Sequence, residues 1–303
     1  MTALTTDFEQ PTMDDYPTRK STEPALLYRK DPVVWGTPAD GPMDQSSLDS
    51  FDEKGYLQVE SLVTPEEVEK YRAELDRLAG DEDLKRDERT VVERSSNEVR
   101  SIFEVHKISE VFADLVRDPR VVGRARQLLG SDVYIHQSRV NYKPGFGGGD
   151  FYWHSDFETW HAEDGMPRPR ALSLSLALTD NYPYNGPLMI MPGSHKTYVS
   201  CVGETPEEHF RESLKKQEIG TPDQASLSIL ADKHGIDLLT GPAGGGLFFD
   251  CNCMHGSGGN ISPYPRSNVF IVFNSVENTC VEPFAAPSPR PPFIGARDFT
   301  PVR

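Results

Sequence analysis

Two grammars divide the chain. Up to about residue 130 the apolar positions recur at helical spacing, and beyond it they come in short runs separated by Gly, Pro and Asn. The segment LVTPEEVEKYRAELDRLAG predicts the clearest helix. Thr64 caps it, Pro65 takes the first helical position, Glu67 completes a capping box, and Gly80 ends it. Val68, Tyr71, Leu75 and Leu78 supply its apolar stripe. The segment EVFADLVRDPRVVGRARQLLG predicts two shorter helices broken near Pro119 and closed by Gly130. DVYIHQSRVNYK, RALSLSLALTD, GPLMIMPGS, GGGLFFDCNCMH and NVFIVFNSV then read as strands, β-branched or aromatic in character. They predict an all-β body of roughly eight strands, a sandwich or barrel with helices flanking it.

No internal repeat or linker breaks this order, so residues 1–303 read as a single domain. Its expected parts are an extended arm over 1–50, rich in Pro, Asp, Ser and Thr, and a mainly helical stretch over 51–130. A β core over 131–280 follows, with a polar, partly helical insertion near 203–236 and a Pro-rich tail over 281–303. Composition adds little: 37% hydrophobic and 26% charged residues are ordinary for a soluble globular chain. Charge adds more, because a net −16 leaves no basic face for a phosphate backbone, and no nucleic-acid partner is expected. The opening MTALTTDFEQPTMDDYP lacks a secretory signal pattern, and no run of ~18 apolar residues predicts a membrane span. A cytoplasmic location is expected. Cys201, Cys251, Cys253 and Cys280 form no CxxC pair and read as reduced, mostly buried thiols, the C-x-C at 251–253 lying on one face of a strand.

The densest chemistry sits in FYWHSDFETWHAEDGMP, Phe151 to Pro167. In an extended segment residues two apart share a face, so His154 and Asp156 converge while Ser155 points away. They supply two ligands of a three-ligand face, and His255 in CNCMHGSGGN is the best candidate for the third. On these residues alone a solvated acidic loop, a zinc site and an oxygen-handling site all remain open. Two imidazoles and one carboxylate leave positions free for a chelating co-substrate and O2, the pattern of non-haem Fe(II) oxygenases. Arg266, opening the strand after His255, can grip a carboxylate with both arms of its fork.

A β body, H-x-D, a distal His and a following Arg together resemble the Fe(II)/2-oxoglutarate-dependent dioxygenases. NGPLMIMPGSHK, Asn185 to Lys196, is similar to the phytanoyl-CoA dioxygenase branch of that superfamily. FYWHSDFETWHAEDGMPRPRA resembles the signature segment of the ectoine hydroxylases. The likeness runs through HQSRVNYKPGFGGGDFYWHSDFETWHAEDGMP and MHGSGGNISPYPRSNVFIVFNS to cover nearly the whole chain. It implies a double-stranded β-helix (jelly-roll or cupin) core.

The resemblance also implies residue roles. Fe(II) would be held by His154, Asp156 and His255, and 2-oxoglutarate by Arg266 with Ser257 and Lys143. Ectoine, a small cyclic amidine bearing a carboxylate, would lie among Gln137, Trp160, Phe249, Asn268 and Phe270, with Arg290 of the tail closing over its carboxylate. Trp160 is expected along the extended run past Asp156, close to the iron. With O2 as co-substrate, the implied outcome is 5-hydroxyectoine, succinate and CO2, in compatible-solute synthesis under osmotic stress, carried out by a homodimer. His161 and Glu163 are expected beyond the strand in a solvated or supporting role, and His195 to stabilise a turn. Gly244 to Gly246 is not a phosphate loop, since no Lys-Ser/Thr follows. The rivals are a same-fold hydroxylase of another small amino or imino acid such as proline, a non-enzymatic cupin-like metal binder, and a zinc hydrolase.

Overall fold

A computed structural model describes residues 14–92, 98–213 and 219–303. In chain order the strands are β1 Ala25–Tyr28, β2 Tyr56–Val59, β3 Thr90–Val92, β4 Val99–Phe103, β5 Val133–Lys143, β6 Phe151–His154 and β7 Ala171–Ala177. They continue as β8 Leu188–Ile190, β9 Thr197–Ser200, β10 Asp237–Leu239, β11 Gly246–Asp250, β12 His255–Ser257 and β13 Arg266–Ser275. A seven-stranded sheet runs β2-β11-β7-β13-β5-β4-β3 and a four-stranded sheet runs β10-β8-β12-β6. Every pairing in them is antiparallel. The arrangement is the expected jelly-roll.

Alternation along the central strands decides which way each sheet face looks. In β7, Leu172, Leu174 and Leu176 enter the main apolar core, while Ser173 and Ser175 turn to the opposite side. In β13, Val269, Ile271 and Phe273 join that core, and Arg266, Asn268 and Phe270 face a cavity between the sheets. Helices Pro65–Ala79, Glu110–Arg117 and Pro119–Leu129 cover the apolar face with Val68, Tyr71, Leu75, Phe112, Leu115 and Leu128. Each fully buried Leu or Phe there contributes roughly 1.5–3 kcal/mol. The expected capping box is present: Glu67 N–H donates to Thr64 Oγ1 at 3.3 Å, and Thr64 N–H to Glu67 Oε2 at 2.8 Å.

From Asp14 onward the arm lies against the β body, while residues 1–13 of the expected arm lie outside the described residues. β1 pairs with β9, Tyr16 is buried in a cluster with Phe157 and Tyr198, and Arg29 reaches Asp250 at 2.8 Å. It is extended only in part, because Asp44 caps a helix Gln45–Lys54 that buries Leu48 and Phe51. In the insertion, Asp223 caps a helix Gln224–His234. The four cysteines are free and buried. The expectation that Cys251 and Cys253 share a strand face is overturned. β11 ends at Asp250, whose carboxylate and carbonyl accept from Asn252 N–H and Cys253 N–H and turn the chain. Cys251 then packs beside Trp160, and Cys253 beside Phe249. No described helix is long and apolar enough to cross a membrane.

Candidate metal centre and its pocket

His154 ends β6 and His255 begins β12, and the antiparallel register pairs the two directly. Their rings lie 4.3 Å apart, centroid to centroid. Each Nδ1–H donates to a backbone carbonyl, that of Tyr152 at 2.7 Å for His154 and of Cys253 at 3.0 Å for His255. That tautomer leaves both Nε2 lone pairs free to take a metal. Asp156 brings its carboxylate to 3.6 Å from His154 Nε2 and 4.0 Å from His255 Nε2. One donor atom from each of the three lies within 4.8 Å of the others.

The backbone reason for this convergence differs from the expected one. The strand stops at His154, and Ser155 caps a helical turn Asp156–Thr159 by accepting from Glu158 N–H at 3.4 Å. Asp156 therefore swings back toward His154 at a strand-to-helix junction, and not through strand alternation. Ser155 Oγ donates to Asn252 Oδ1 at 3.1 Å, Phe157 N–H to Cys251 carbonyl at 2.8 Å, and Ser173 Oγ to Asp156 at 3.3 Å. Burial would raise the Asp156 pKa, but His255, His154 and Arg139 hold it below the ordinary carboxylate range. His255 is pushed down to about 4, by burial first and then by His154. Both shifts favour the deprotonated donors that a divalent metal requires.

Beside the triad lies open space of about 550 Å³, including the part continuous with solvent. His154, His255, Ser257, Lys143, Arg266, Asn268 and Phe270 line it, as do Arg100, Arg139, Asn141 and Phe151. Arg266 is buried, donating only to neutral oxygens, Asn181 Oδ1 and the Gly186 carbonyl, both at 3.2 Å. Lys143 donates to Ser257 Oγ at 3.0 Å and the Gly258 carbonyl at 2.7 Å. Among the described residues neither cation makes an ion pair. Burial lowers the Arg266 pKa to about 10, and burial followed by Arg266 and Arg100 lowers that of Lys143 to about 7. A buried cation without a counter-ion is costly, so the pocket fits a small carboxylate ligand.

The remaining expected residues divide. Asn268 donates to Ser175 Oγ at 2.9 Å, and the Phe249 ring meets the His255 ring edge-on at 5.0 Å. Of the expected substrate residues only Asn268 and Phe270 line that cavity among the described residues; Phe249, Gln137, Trp160 and Arg290 do not. Gln137 donates to the Ile294 carbonyl at 2.7 Å and accepts from Arg139 at 2.9 Å. Trp160 lies in a π-helical turn Trp160–Asp164 and not on an extended run, packed against Val272 and, edge-on at 5.3 Å, against His136. Arg290 grips Asp164 with two hydrogen bonds of 2.8 and 2.6 Å. His161 and Glu163, for which a solvated role was one expectation, are buried, His161 bonded to Asp14 and Glu163 to Arg19. His195 sits in a one-turn helix and meets the Asp52 carbonyl at 3.0 Å.

Arg139 is foremost among the lining residues that sequence reading missed. It stacks over Phe270 at 5.0 Å and looks into the cavity. The signal was available: Gln137, Arg139, Asn141 and Lys143 form a row of polar positions two apart along β5.

Comparison with known proteins fits this geometry. The model of the family Phytanoyl-CoA dioxygenase matches residues 51–268. The ectoine dioxygenase of Streptomyces coelicolor is 62% identical over 304 residues, covering 100% of both chains. The chain belongs to the ectoine dioxygenase family. Solved structures agree with that membership. The crystal structure of EctD from S. alaskensis with 2-oxoglutarate and 5-hydroxyectoine is 46% identical, with a TM-score of 0.87, covering 95% of this chain and 96% of that one. The same protein with bound Fe gives 45% identity and a TM-score of 0.86, covering 96% and 97% of the two chains.

Proposed function

We propose that this chain hydroxylates ectoine to 5-hydroxyectoine as an Fe(II)- and 2-oxoglutarate-dependent dioxygenase. The observation that carries the reading is the triad of donors within 4.8 Å, set beside a pocket of buried cations. Ferrous iron chelated by a 2-oxo acid supplies the power to hydroxylate an unactivated C–H bond with O2, releasing succinate and CO2.

The chain's own groups bind, aim and exclude water. His154, Asp156 and His255 present their donors from one side and leave the other open. Arg266 takes the far carboxylate of 2-oxoglutarate in its fork, with Ser257 Oγ and the Lys143 ammonium beside it. Asn268 and Phe270 line the cavity that takes ectoine, and the family likeness adds Gln137, Phe249 and Trp160 as further amide and aromatic contacts to its delocalised amidinium. Arg290 uses Nε and Nη2 on Asp164, leaving Nη1 for the substrate carboxylate. Placement matters because the oxidation falls on the nearest C–H, so a small shift costs much of the rate. Among the described residues no Asp or Glu lines the cavity to act as a hydrolytic base, which disfavours the zinc-hydrolase alternative.

The protein acts as one catalytic unit over its whole length. Its four free thiols support a reducing compartment such as the cytoplasm, and a homodimer accords with the family likeness. The test is to load the protein with Fe(II) and 2-oxoglutarate without oxygen, add ectoine or proline, admit O2, and identify products by mass and NMR. Hydroxyectoine in step with succinate is expected. Succinate formation that responds to proline and not to ectoine overturns the substrate assignment. Light scattering checks the dimer.

A further inference from the structure

The helix that begins with Asp156 changes register before it ends. Asp156–Thr159 is α-helical, and Trp160–Asp164 widens into a π-helical turn closed by Gly165 at φ 74°. Gly165 is required there, since a Cβ would run into the Val281 carbonyl. A π-turn is rarer than an α-turn and needs something to hold it.

What holds it comes from the far end of the chain. Arg19 is fully buried, and its guanidinium spans the widened turn. Nε and Nη2 take the two oxygens of Glu158 at 2.9 and 2.7 Å, while Nη1 takes Glu163 at 2.6 Å. Glu158 and Glu163 are five residues apart. In a regular α-helix such residues point about 140° away from each other, too far for one guanidinium to bind both. An i to i+5 turn brings them to one side. Thr18 Oγ1 adds a bond to Glu158 at 2.6 Å, and Nη1 also reaches Thr205 of the insertion at 2.9 Å. Arg19 keeps a left-handed φ of 54°, unusual for a residue with a side chain, and its N–H is anchored on the Cys201 carbonyl at 2.8 Å. Trp160 is one of the four residues between the two bridged glutamates, and it opens the π-helical turn.

We infer that Arg19 is a positioning residue for the substrate. It fixes the π register that aims the Trp160 indole, so the N-terminal segment completes the active site without touching it. The inference rests on the reading of Trp160 as a substrate wall.

The test compares Arg19→Lys, Trp160→Ala and the double variant as iron-loaded full-length enzymes. Lysine keeps the charge but offers a point and not a fork, so it cannot bridge both glutamates. For Arg19→Lys the expected result is an ectoine KM raised about tenfold, with less hydroxyectoine formed per succinate and a 2-oxoglutarate KM within about twofold of the parent. The double variant is expected to be no worse than Trp160→Ala alone, because both changes act through one indole. Glu163→Gln, which leaves the Glu158 pair intact, is the second probe should Arg19→Lys fail to fold, and the same split is expected of it. An ectoine KM unchanged in the probe, or rising in step with the 2-oxoglutarate KM, overturns the inference. So does a double variant in which the two losses multiply. Trp160→Ala with a normal ectoine KM instead removes the substrate role of Trp160, a different failure seen in the same assay.

Discussion

Two clusters of buried charge, one where arm and tail meet the helix that begins at Asp156 and one at the pocket, are built on opposite rules. On the arm-and-tail side each cation has its carboxylate: Arg19 with Glu158 and Glu163, Arg290 with Asp164. Burial works against the charge of both arginines, yet these partners raise their pKa values above the ordinary range. On the pocket side, Arg266 and Lys143 have only neutral oxygens as hydrogen-bond partners among the described residues, and their pKa values fall. The difference separates a finished structure from an unfinished one. A paired cluster holds the fold together, whereas an unpaired one carries a cost that an incoming anion removes.

The comparison can be broken most severely at its hinge. His154→Ala, Asp156→Ala or His255→Ala should reduce turnover about a thousandfold or more and lose iron, with Tm nearly unchanged. Metal analysis beside calorimetry checks this, and full iron content in all three variants would falsify the ligand assignment.

Opposite stability effects are expected next. Arg266→Met should weaken 2-oxoglutarate binding by about 2–5 kcal/mol, yet raise the Tm of the ligand-free protein because it removes an unpaired charge. Arg290→Met should lower stability by about 3 kcal/mol, since it leaves buried Asp164 with the His136 ring as its remaining partner. Denaturant melts of both variants, with and without the keto acid, test the rule directly. If Arg266→Met destabilises the empty protein as much as Arg290→Met does, the distinction is wrong.

A smaller effect concerns pH. Lys143 titrates near 7 when folded and near 10.4 when unfolded, so the unfolded chain holds more protons between those values. The empty protein therefore gains stability from this group as pH rises through that window. An anion beside Lys143 favours its charged form, so 2-oxoglutarate affinity should fall by up to about tenfold per pH unit above 7. Calorimetric titration in two buffers of different ionisation enthalpy should register proton uptake, and Lys143→Met should abolish it. Smallest of all is the control. Arg72→Ala removes an exposed helical pair with Glu69 and should move Tm by no more than about one degree.

Much of this was readable in the sequence for definite reasons. The Thr64 capping box and the helical stripe behind it depend on neighbours a turn away, so local sequence carries them. The β body follows from strand-length apolar runs, and the three candidate metal ligands stood out as residue types with few structural uses. Family likeness then supplied the roles proposed for Ser257, Asn268 and the aromatic residues. Arg139 was legible in principle from the alternation along β5.

Other features depend on contacts that cross the whole chain. Asp156 reaches the histidines through a strand-to-helix junction, which Ser155 and the Cys251–Asn252 turn fix together. The widening of the helix at Trp160 depends on a guanidinium from Arg19, and the placement of Arg290 depends on Asp164. By itself the sequence determined which residues could bind metal and which segments could become strand or helix, because composition and periodicity act locally. Only the tertiary structure decided which buried charges found partners, because pairing depends on distances in space that spacing along a chain does not encode.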